Sequence, residues 1–467
     1  MKRQPVALLA LAAALALGGL WGCGADAPAR TTPSIVFIIG DDHGYLDFGF
    51  MGSEWVQTPN LDQLAGQGTV FPNAYVTASI CGPSLRSLVT GLHPYQWTLR
   101  KLHLQSGGVS RSGESEIQDF VTLPRLLSEV GYASYQAGKF FGGSYDLAGF
   151  SEGMNGPGDE LGFGGAGKQL GRAIPLAPVH DFLDRHGDAP FFLWFAPMLP
   201  HHPFDAGPEY SAPYQGRGLS GPALKYYANI TRFDALVGEL VAALEERGLR
   251  EQTLIVYLAD NGWDQGPGDS PPGAVTGGWE RDGEKGKYSM HELGFRTPIV
   301  LNWPGQVPAG VVNEGLVSAV DLFPTVLDYA GAPPRPERPG SSLRAAVEGR
   351  APWQREALVG GMIHVRGSEL RSLPPEGRKF LEPEPAYFVR DRDWHYIHYE
   401  AWGAEQLFDL RKDPDENHDL APHRPELTAR YRARIEQWKQ EMQRSYMSAL
   451  TAPPAFTAPA AQSPPSQ

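Results

Sequence analysis

Four short apolar runs, each stopping abruptly at a polar cluster, organise this chain. Ser34–Ile39 (SIVFII) ends in Gly40-Asp41-Asp42-His43-Gly44, and Thr253–Ala259 (TLIVYLA) ends in Asp260-Asn261-Gly262. Phe191–Ala196 (FFLWFA) runs toward Pro200-His201-His202-Pro203, and Tyr132–Ala137 leads into Gly138-Lys139. Apolar runs without polar alternation predict strands buried on both faces. Helical patterns fall between several of them, notably Leu123–Val130 and Ala228–Arg247. Strands alternating with helices predict an α/β fold with a large, mostly parallel central sheet flanked by helices. Ligands of such sheets bind beyond the carboxyl ends of the strands. Carboxylates, an amide, histidine and lysine are therefore expected at one edge of one sheet.

Further along, antiparallel strands near Ala386–Tyr399, with Trp394-His395-Tyr396 in one of them, and a terminal helix over Pro425–Tyr446 predict a smaller C-terminal α+β domain. The expected organisation is a large domain over 33–345, a subdomain over 346–448, and a Pro/Ala/Ser-rich tail over 449–467 that reads as disordered. At the other end, Lys2 and Arg3 precede the Ala/Leu/Gly run Val6–Leu20, which is short for a membrane span and reads as a signal peptide over 1–22. Leu20-Trp21-Gly22-Cys23 resembles a bacterial lipobox. Cys23 would then carry the lipid, with 23–32 as a tether, so that the protein is exported and anchored facing the periplasm or cell exterior. Ordinary cleavage nearby, giving a soluble secreted protein, is the alternative. Either way the protein leaves the cytoplasm, and a membrane contact is expected only through an N-terminal lipid anchor.

A formal net charge of −13 argues against nucleic acid as a partner. It leaves room for a small anion, because a metal ion and a few lysines can make one pocket locally positive. The chain has two cysteines, so it is neither a disulfide scaffold nor a cysteine-rich zinc site.

Asp-Asp and Asp-Asn-Gly are, singly, common turn or cap sequences. At the ends of two buried strands, Asp41, Asp42, Asp260 and Asn261 together offer the hard oxygen ligands that suit Ca²⁺ or Mg²⁺. Cys81 opens CGPSLRSLVTG, where Pro83 fits a first helical turn, Thr90-Gly91 fits the end, and Leu85, Leu88 and Val89 form a buried stripe. Cys81 is then expected just before a helix N-terminus, where free N–H groups favour an anion. A buried small apolar residue is the plainer reading of a free cysteine.

Around Cys81 the chain resembles the formylglycine-dependent (type I) sulfatases of the alkaline phosphatase superfamily. Cys81, Pro83, Ser84, Thr90 and Gly91 fall in register with that family's Cys-x-Pro-Ser-Arg…Thr-Gly segment. Asp41-Asp42 and Asp260-Asn261 look like its two metal pairs, Lys139 like the lysine of Ala-Gly-Lys-Trp-His-Leu-Gly, and His201 like that of Pro-His-x-Pro. Lys287, five residues before Glu292, matches the lysine of Lys-x4-Glu-x-Gly-x-Arg-x-Pro, and Gln406–Ala421 (QLFDLRKDPDENHDLA) is similar to the family's C-terminal segment.

The resemblance implies hydrolysis of sulfate esters. A maturase would oxidise Cys81 to formylglycine, whose hydrate attacks sulfur, releases the alcohol and then expels sulfate. It implies one Ca²⁺, with Mg²⁺ as the alternative, held by Asp41, Asp42, Asp260, Asn261 and the modified Cys81. Lys139 and Lys287 would hold sulfate oxygens, His201 would be the general acid, and a sulfated glycan or aryl sulfate would be the substrate. Ser84 and Arg86 are supporting candidates, and His202 reads as structural or as the substrate edge.

Two positions depart from the pattern. The arginine expected four residues after the cysteine is Leu85, and Arg86, one place on, is rotated by about 100° on a helix. Phe141 stands where the family has a histidine that contacts the nucleophile; His103 is a candidate substitute. Two further readings therefore stay open: a phosphodiester or phosphonate monoester hydrolase, and a catalytically silent lipoprotein that binds sulfated glycans. Glu292 and Arg296 are expected to brace the loop around Lys287, with His291 in the pocket or on the surface. Asn229-Ile230-Thr231 has glycosylation spacing but lies in a helical pattern.

Overall fold

The computed structural model describes residues 32–99, 117–156, 165–219, 221–263, 285–362, 385–400 and 403–451. Its centre is β1 (Ser34–Gly40), which pairs in parallel with β5 (Phe191–Ala196) on one side and β6 (Thr253–Ala259) on the other. Beyond β5 lie β3 (Ala133–Gly138) and the short β4 (Glu152–Gly153), also parallel. Beyond β6 the sheet turns mixed: β7 (Arg296–Asn302) is antiparallel to β6, and β2 (Thr69–Tyr75) is antiparallel to β7. The short strands β8 (Val311–Val312) and β9 (Val317–Ser318) pair with β2.

The four runs read from sequence are thus β1, β3, β5 and β6, and their uninterrupted apolar character has a direct cause. Ile35, Phe37 and Ile39 point into one apolar layer with Phe192 and Trp194. Val36 and Ile38 point into the opposite layer with Phe191, Leu193 and Phe195. Both faces are covered, so alternation has nothing polar to alternate with. The sequence pattern did not reveal β2 and β7. In β2, Pro72 interrupts the run and the register shifts between Phe71 and Ala74, the usual accommodation of a proline in a sheet.

The second sheet is antiparallel, in the order β10 (Ala357–Met362), β11 (Ala386–Asp391), β12 (Trp394–Tyr399) and β13 (Ala404–Asp409). One face packs on the terminal helix Pro425–Thr451 through Tyr431, Ile435, Trp438 and Met442, a helical i, i+4, i+7 spacing. The other face, through Leu358, Phe388, Ile397 and Phe408, joins the larger core of the main sheet. The helix runs through Thr451, past the expected boundary at 448; residues 1–31 and 452–467, with the leader, Cys23 and most of the tail, lie outside the described residues. Among the described residues no helix is long and apolar enough to cross a membrane.

Candidate active site

The carboxyl ends of β1, β3, β5 and β6 meet at one place. The ladder is carried one residue past the strands: Asp41 N donates to Leu199 O (2.8 Å), Asp260 N to Gly40 O (2.8 Å) and Lys139 N to Ala196 O (2.6 Å). Two glycines make the approach close enough. Gly138 has φ 98°, and a Cβ there would lie 2.2 Å from Ala196 O. A Cβ on Gly262 would lie 1.7 Å from Leu293 O, so the residue after Asp260-Asn261 can only be glycine.

Cys81 is the first residue of the helix Cys81–Thr90, capped by Ile80, so it sits inside the first turn rather than before it. The helix ends at Gly91, with φ 67°, as expected. The thiol lies 3.8 Å from Asp41 Oδ1 and 3.9 Å from Asp42 Oδ1. Ligand atoms of Asp41, Asp42, Cys81 and Asp260 fall within 4.8 Å of one another, all buried. Asp42 adopts φ 61°, a left-handed conformation that aspartate tolerates better than most residues. Asn261 Nδ2 holds it there by donating to its Oδ1 (2.7 Å).

Two ammonium groups close the cluster. Lys139 Nζ donates to both oxygens of Asp41 (2.7 and 2.6 Å) and lies 3.8 Å from Asp260 Oδ2. Lys287 Nζ bonds Asp42 Oδ2 (2.9 Å) and lies 2.7 Å from Oδ1. His201 Nε2 is 3.5 Å from Asp42 Oδ2 on a side chain still 14% exposed, the most open of these groups. Its loop has cis peptides at Leu199-Pro200 and His202-Pro203.

Burial raises the pKa of Asp42, but Lys287, His201 and Lys139 outweigh it and hold the carboxyl well below the usual range. Burial and the neighbouring Asp41 push Asp260 well up, and burial pushes the Cys81 thiol well up. Burial would lower Lys139, yet Asp41, Cys81 and Asp260 together raise it.

This donor set fits a hard divalent cation. Asp260 Oδ2 and Asn261 Oδ1 are buried without a hydrogen-bond partner, although both belong to the cluster. With all three carboxylates (Asp41, Asp42, Asp260) ionised, as cation binding would require, the two ammoniums (Lys139, Lys287) leave one negative charge unbalanced. A divalent cation would convert that into one positive charge, which suits an anionic ligand. Sulfur is the odd member of an otherwise oxygen set.

The departures have clear structural consequences. Leu85 is 1% exposed in the larger apolar core, with Leu88 and Val89. The Arg86 guanidinium lies 5.4 Å from the Trp97 ring and its Nε is 3.4 Å from Phe141 O. Ser84 is buried, its hydroxyl without a partner. The Phe141 ring lies beside Gly82, the neighbour of Cys81, where a Cβ would meet its Cγ at 3.9 Å. His103 lies outside the described residues.

His291 is not a surface residue, being 8% exposed with Nδ1 3.2 Å from Glu416 Oε2. The Glu292 side chain accepts from Tyr75 Oη (2.8 Å), Arg390 Nε (2.9 Å) and Arg296 Nη1 (3.3 Å). Asn229 is fully buried and holds the His201 loop through Pro200 O (3.3 Å) and Pro203 O (3.2 Å); Arg172 Nη2 donates to His201 O (2.7 Å). Neither carried a sequence signal for this role; Asn229 stood out only for its glycosylation spacing.

A family model described as Sulfatase matches residues 33–332. Human arylsulfatase A is 30% identical over 88% of this chain and 86% of its own length. An N-acetylgalactosamine-6-O-sulfatase of Bacteroides thetaiotaomicron is 23% identical over 85% of this chain and 91% of its own. Crystal structures of Ps i-CgsB, alone and in complex with k-i-k-neocarrahexaose, are 26% and 25% identical with TM-scores of 0.69 and 0.67, covering 89% of this chain and 94% of that one.

Proposed function

This chain belongs to the sulfatase family of the alkaline phosphatase superfamily and is a sulfuric ester hydrolase, and we propose that it is an exported enzyme acting on sulfated carbohydrates through a formylglycine derived from Cys81. The observation that carries this reading is the buried cluster of Asp41, Asp42, Asp260, Asn261, Lys139, Lys287 and Cys81 at the strand ends, with two orphaned oxygens. The carbohydrate class draws on two relatives, the N-acetylgalactosamine-6-O-sulfatase and the protein crystallised with a neocarrahexaose.

Asp41, Asp42, Asp260 and Asn261 would hold one Ca²⁺, with Mg²⁺ as the alternative. Bound there, the ion would neutralise sulfate oxygens and lower the pKa of the nucleophile. Conversion of Cys81 by a maturase would replace the one soft donor by oxygen and lift the problem of a buried thiol whose pKa is pushed up. With a cation on the carboxylates, the Lys139 and Lys287 ammoniums become available to the anionic ester and stabilise charge that develops in the transition state. His201, at the open side of the cluster, protonates the leaving alcohol oxygen. All of these groups lie within 33–345, with 346–448 as a supporting subdomain. Export rests on the leader, with Cys23 as lipid attachment point.

The test is a mass spectrum of the Cys81 peptide from protein made in its native host, paired with hydrolysis of an aryl sulfate and an aryl phosphodiester. An aldehyde or its hydrate, with the sulfate ester preferred, is the expected result. An intact thiol would overturn the formylglycine mechanism, and preference for the phosphodiester would move the substrate assignment to the phosphorus ester hydrolases of this fold.

A further inference from the structure

Lys287 sits on a short irregular segment, Lys285–His291, that leads through one helical turn, Glu292–Phe295, into β7. Near the nucleophile this segment is tied by Lys287 N to Trp263 O (2.8 Å), Tyr288 N to Ser79 O (2.7 Å) and Ser79 Oγ to Ser289 O (2.6 Å). Tyr288 adopts φ 69°, a left-handed conformation that costs about 1 kcal/mol for a residue of its kind. A segment bent in this way relaxes unless both of its ends are held.

The ends are held from the far C-terminal part of the chain. Glu416 lies in the turn after β13 and is 4% exposed, itself at φ 56°. Its Oε2 accepts from Glu292 N (2.8 Å) and His291 Nδ1 (3.2 Å), and its Oε1 accepts from His395 Nδ1 of β12. A carboxylate can only accept, so both imidazoles present Nδ1–H to it. Burial would raise the Glu416 carboxyl, but His395 and His291 outweigh it and keep it well below the usual range. At the other end of the segment, Lys285 Nζ donates to Asp415 O (2.7 Å), Glu416 O (3.1 Å) and Asn417 Oδ1 (2.6 Å). The turn that presents these groups is closed by Asp413, which accepts from Asn417 N (3.0 Å) and His418 N (2.7 Å).

The 415–417 turn therefore grips the chain two residues before Lys287 and again four and five residues after it. We propose that Glu416 is a positioning residue that fixes the Lys287 ammonium on the anion site, so that the C-terminal sheet sets the geometry of the catalytic centre. The proposal rests on the assignment of Lys287 to sulfate binding. A misplacement of about 1 Å at such a group can cost on the order of a hundredfold, and the grip on both ends of a bent segment is what prevents it.

A double-mutant cycle on the full-length protein tests this, with calorimetric affinity for inorganic sulfate at saturating Ca²⁺ as the readout, which does not require Cys81 to be converted. Glu416→Gln keeps the volume but replaces one accepting oxygen by an amide nitrogen, and should weaken sulfate binding about tenfold. Lys287→Met should weaken it at least as much. In the Lys287→Met background, Glu416→Gln should cost nothing further, because the group it positions is gone. An unchanged affinity in Glu416→Gln, or the same fractional loss in both backgrounds, would overturn the proposal, the latter marking a general structural effect. If Lys287→Met alone leaves sulfate binding intact, the assignment of Lys287 is what has failed. Should Glu416→Gln not fold, Lys285→Met removes three bonds of the same grip and must show the same dependence on Lys287.

Discussion

The ammonium of Lys139 lies 5.0 Å from the ring centroid of Phe141 while both oxygens of Asp41 accept from it. An aromatic face favours a nearby cation but can neither give nor take a proton. The flank that Phe141 occupies beside Lys139 is thus electrostatically supportive and chemically silent, and in the proposed reaction proton transfer falls to His201 on the open side.

Phe141→His should therefore raise kcat for an aryl sulfate, by about tenfold or more if the imidazole reaches the reacting oxygen, since a well-placed acid or base is worth at least that. KM should change little. Steady-state kinetics on protein with matured Cys81 checks this; an unchanged kcat would mean that the flank takes no part in proton transfer.

Leu85→Arg should have two opposing effects. The side chain is 1% exposed among apolar neighbours, so an arginine there buries charge and should cost about 3 kcal/mol or more of stability, read by denaturant unfolding. Where the chain is produced with a maturase, the fraction of Cys81 converted to formylglycine should rise, read from the mass of its peptide.

Chelation should destabilise the protein reversibly. Asp260 Oδ2 and Asn261 Oδ1 have no hydrogen-bond partner, and a cation bound only to the folded state adds about 2.7 kcal/mol at a free concentration one hundred times its Kd. A gain of a few degrees in Tm on adding Ca²⁺ to EDTA-treated protein is expected, and Asp260→Asn should abolish most of it.

His93 makes stability fall in acid. Burial, with Arg355 adding to it, pushes its pKa down to about 3 from the usual 6.5; its Nδ1 has no partner and its ring packs edge-on against Trp438 at 5.2 Å. The unfolded chain takes up this proton below about pH 6.5 and the folded protein only near 3. The contribution is thus fully present above 6.5 and is lost as the pH falls toward 3, by as much as about 5 kcal/mol. Urea melts of His93→Leu at pH 7 and pH 4 should show a smaller acid loss than the parent. His43, also pushed down to about 3 by burial, remains in that variant, so the loss is reduced and not abolished.

The residues of the central strands and the chemistry at their ends were legible from sequence for a local reason. A strand buried on both faces is a continuous apolar run, and a parallel sheet brings the residues just past each run to one edge. Ser34–Gly40, Ala133–Gly138, Phe191–Ala196 and Thr253–Ala259 needed no tertiary information, and neither did the capping glycine of the Cys81 helix. What depends on contacts between distant segments was invisible. The antiparallel β2 and β7 carry a proline-bulged, unremarkable pattern, and Asn229, Arg172 and Glu416 gain their meaning only from atoms distant in sequence. The sequence by itself determined which groups arrive at the strand ends, because period and punctuation are local. Only the tertiary structure decided how they are held: Phe141 beside Lys139, Leu85 in the core, and the Lys287 segment gripped by a turn some 130 residues away in sequence, as the bond from Lys285 to Asp415 records. Hydrogen bonds and close packing act through space, and their partners need not be near in the chain.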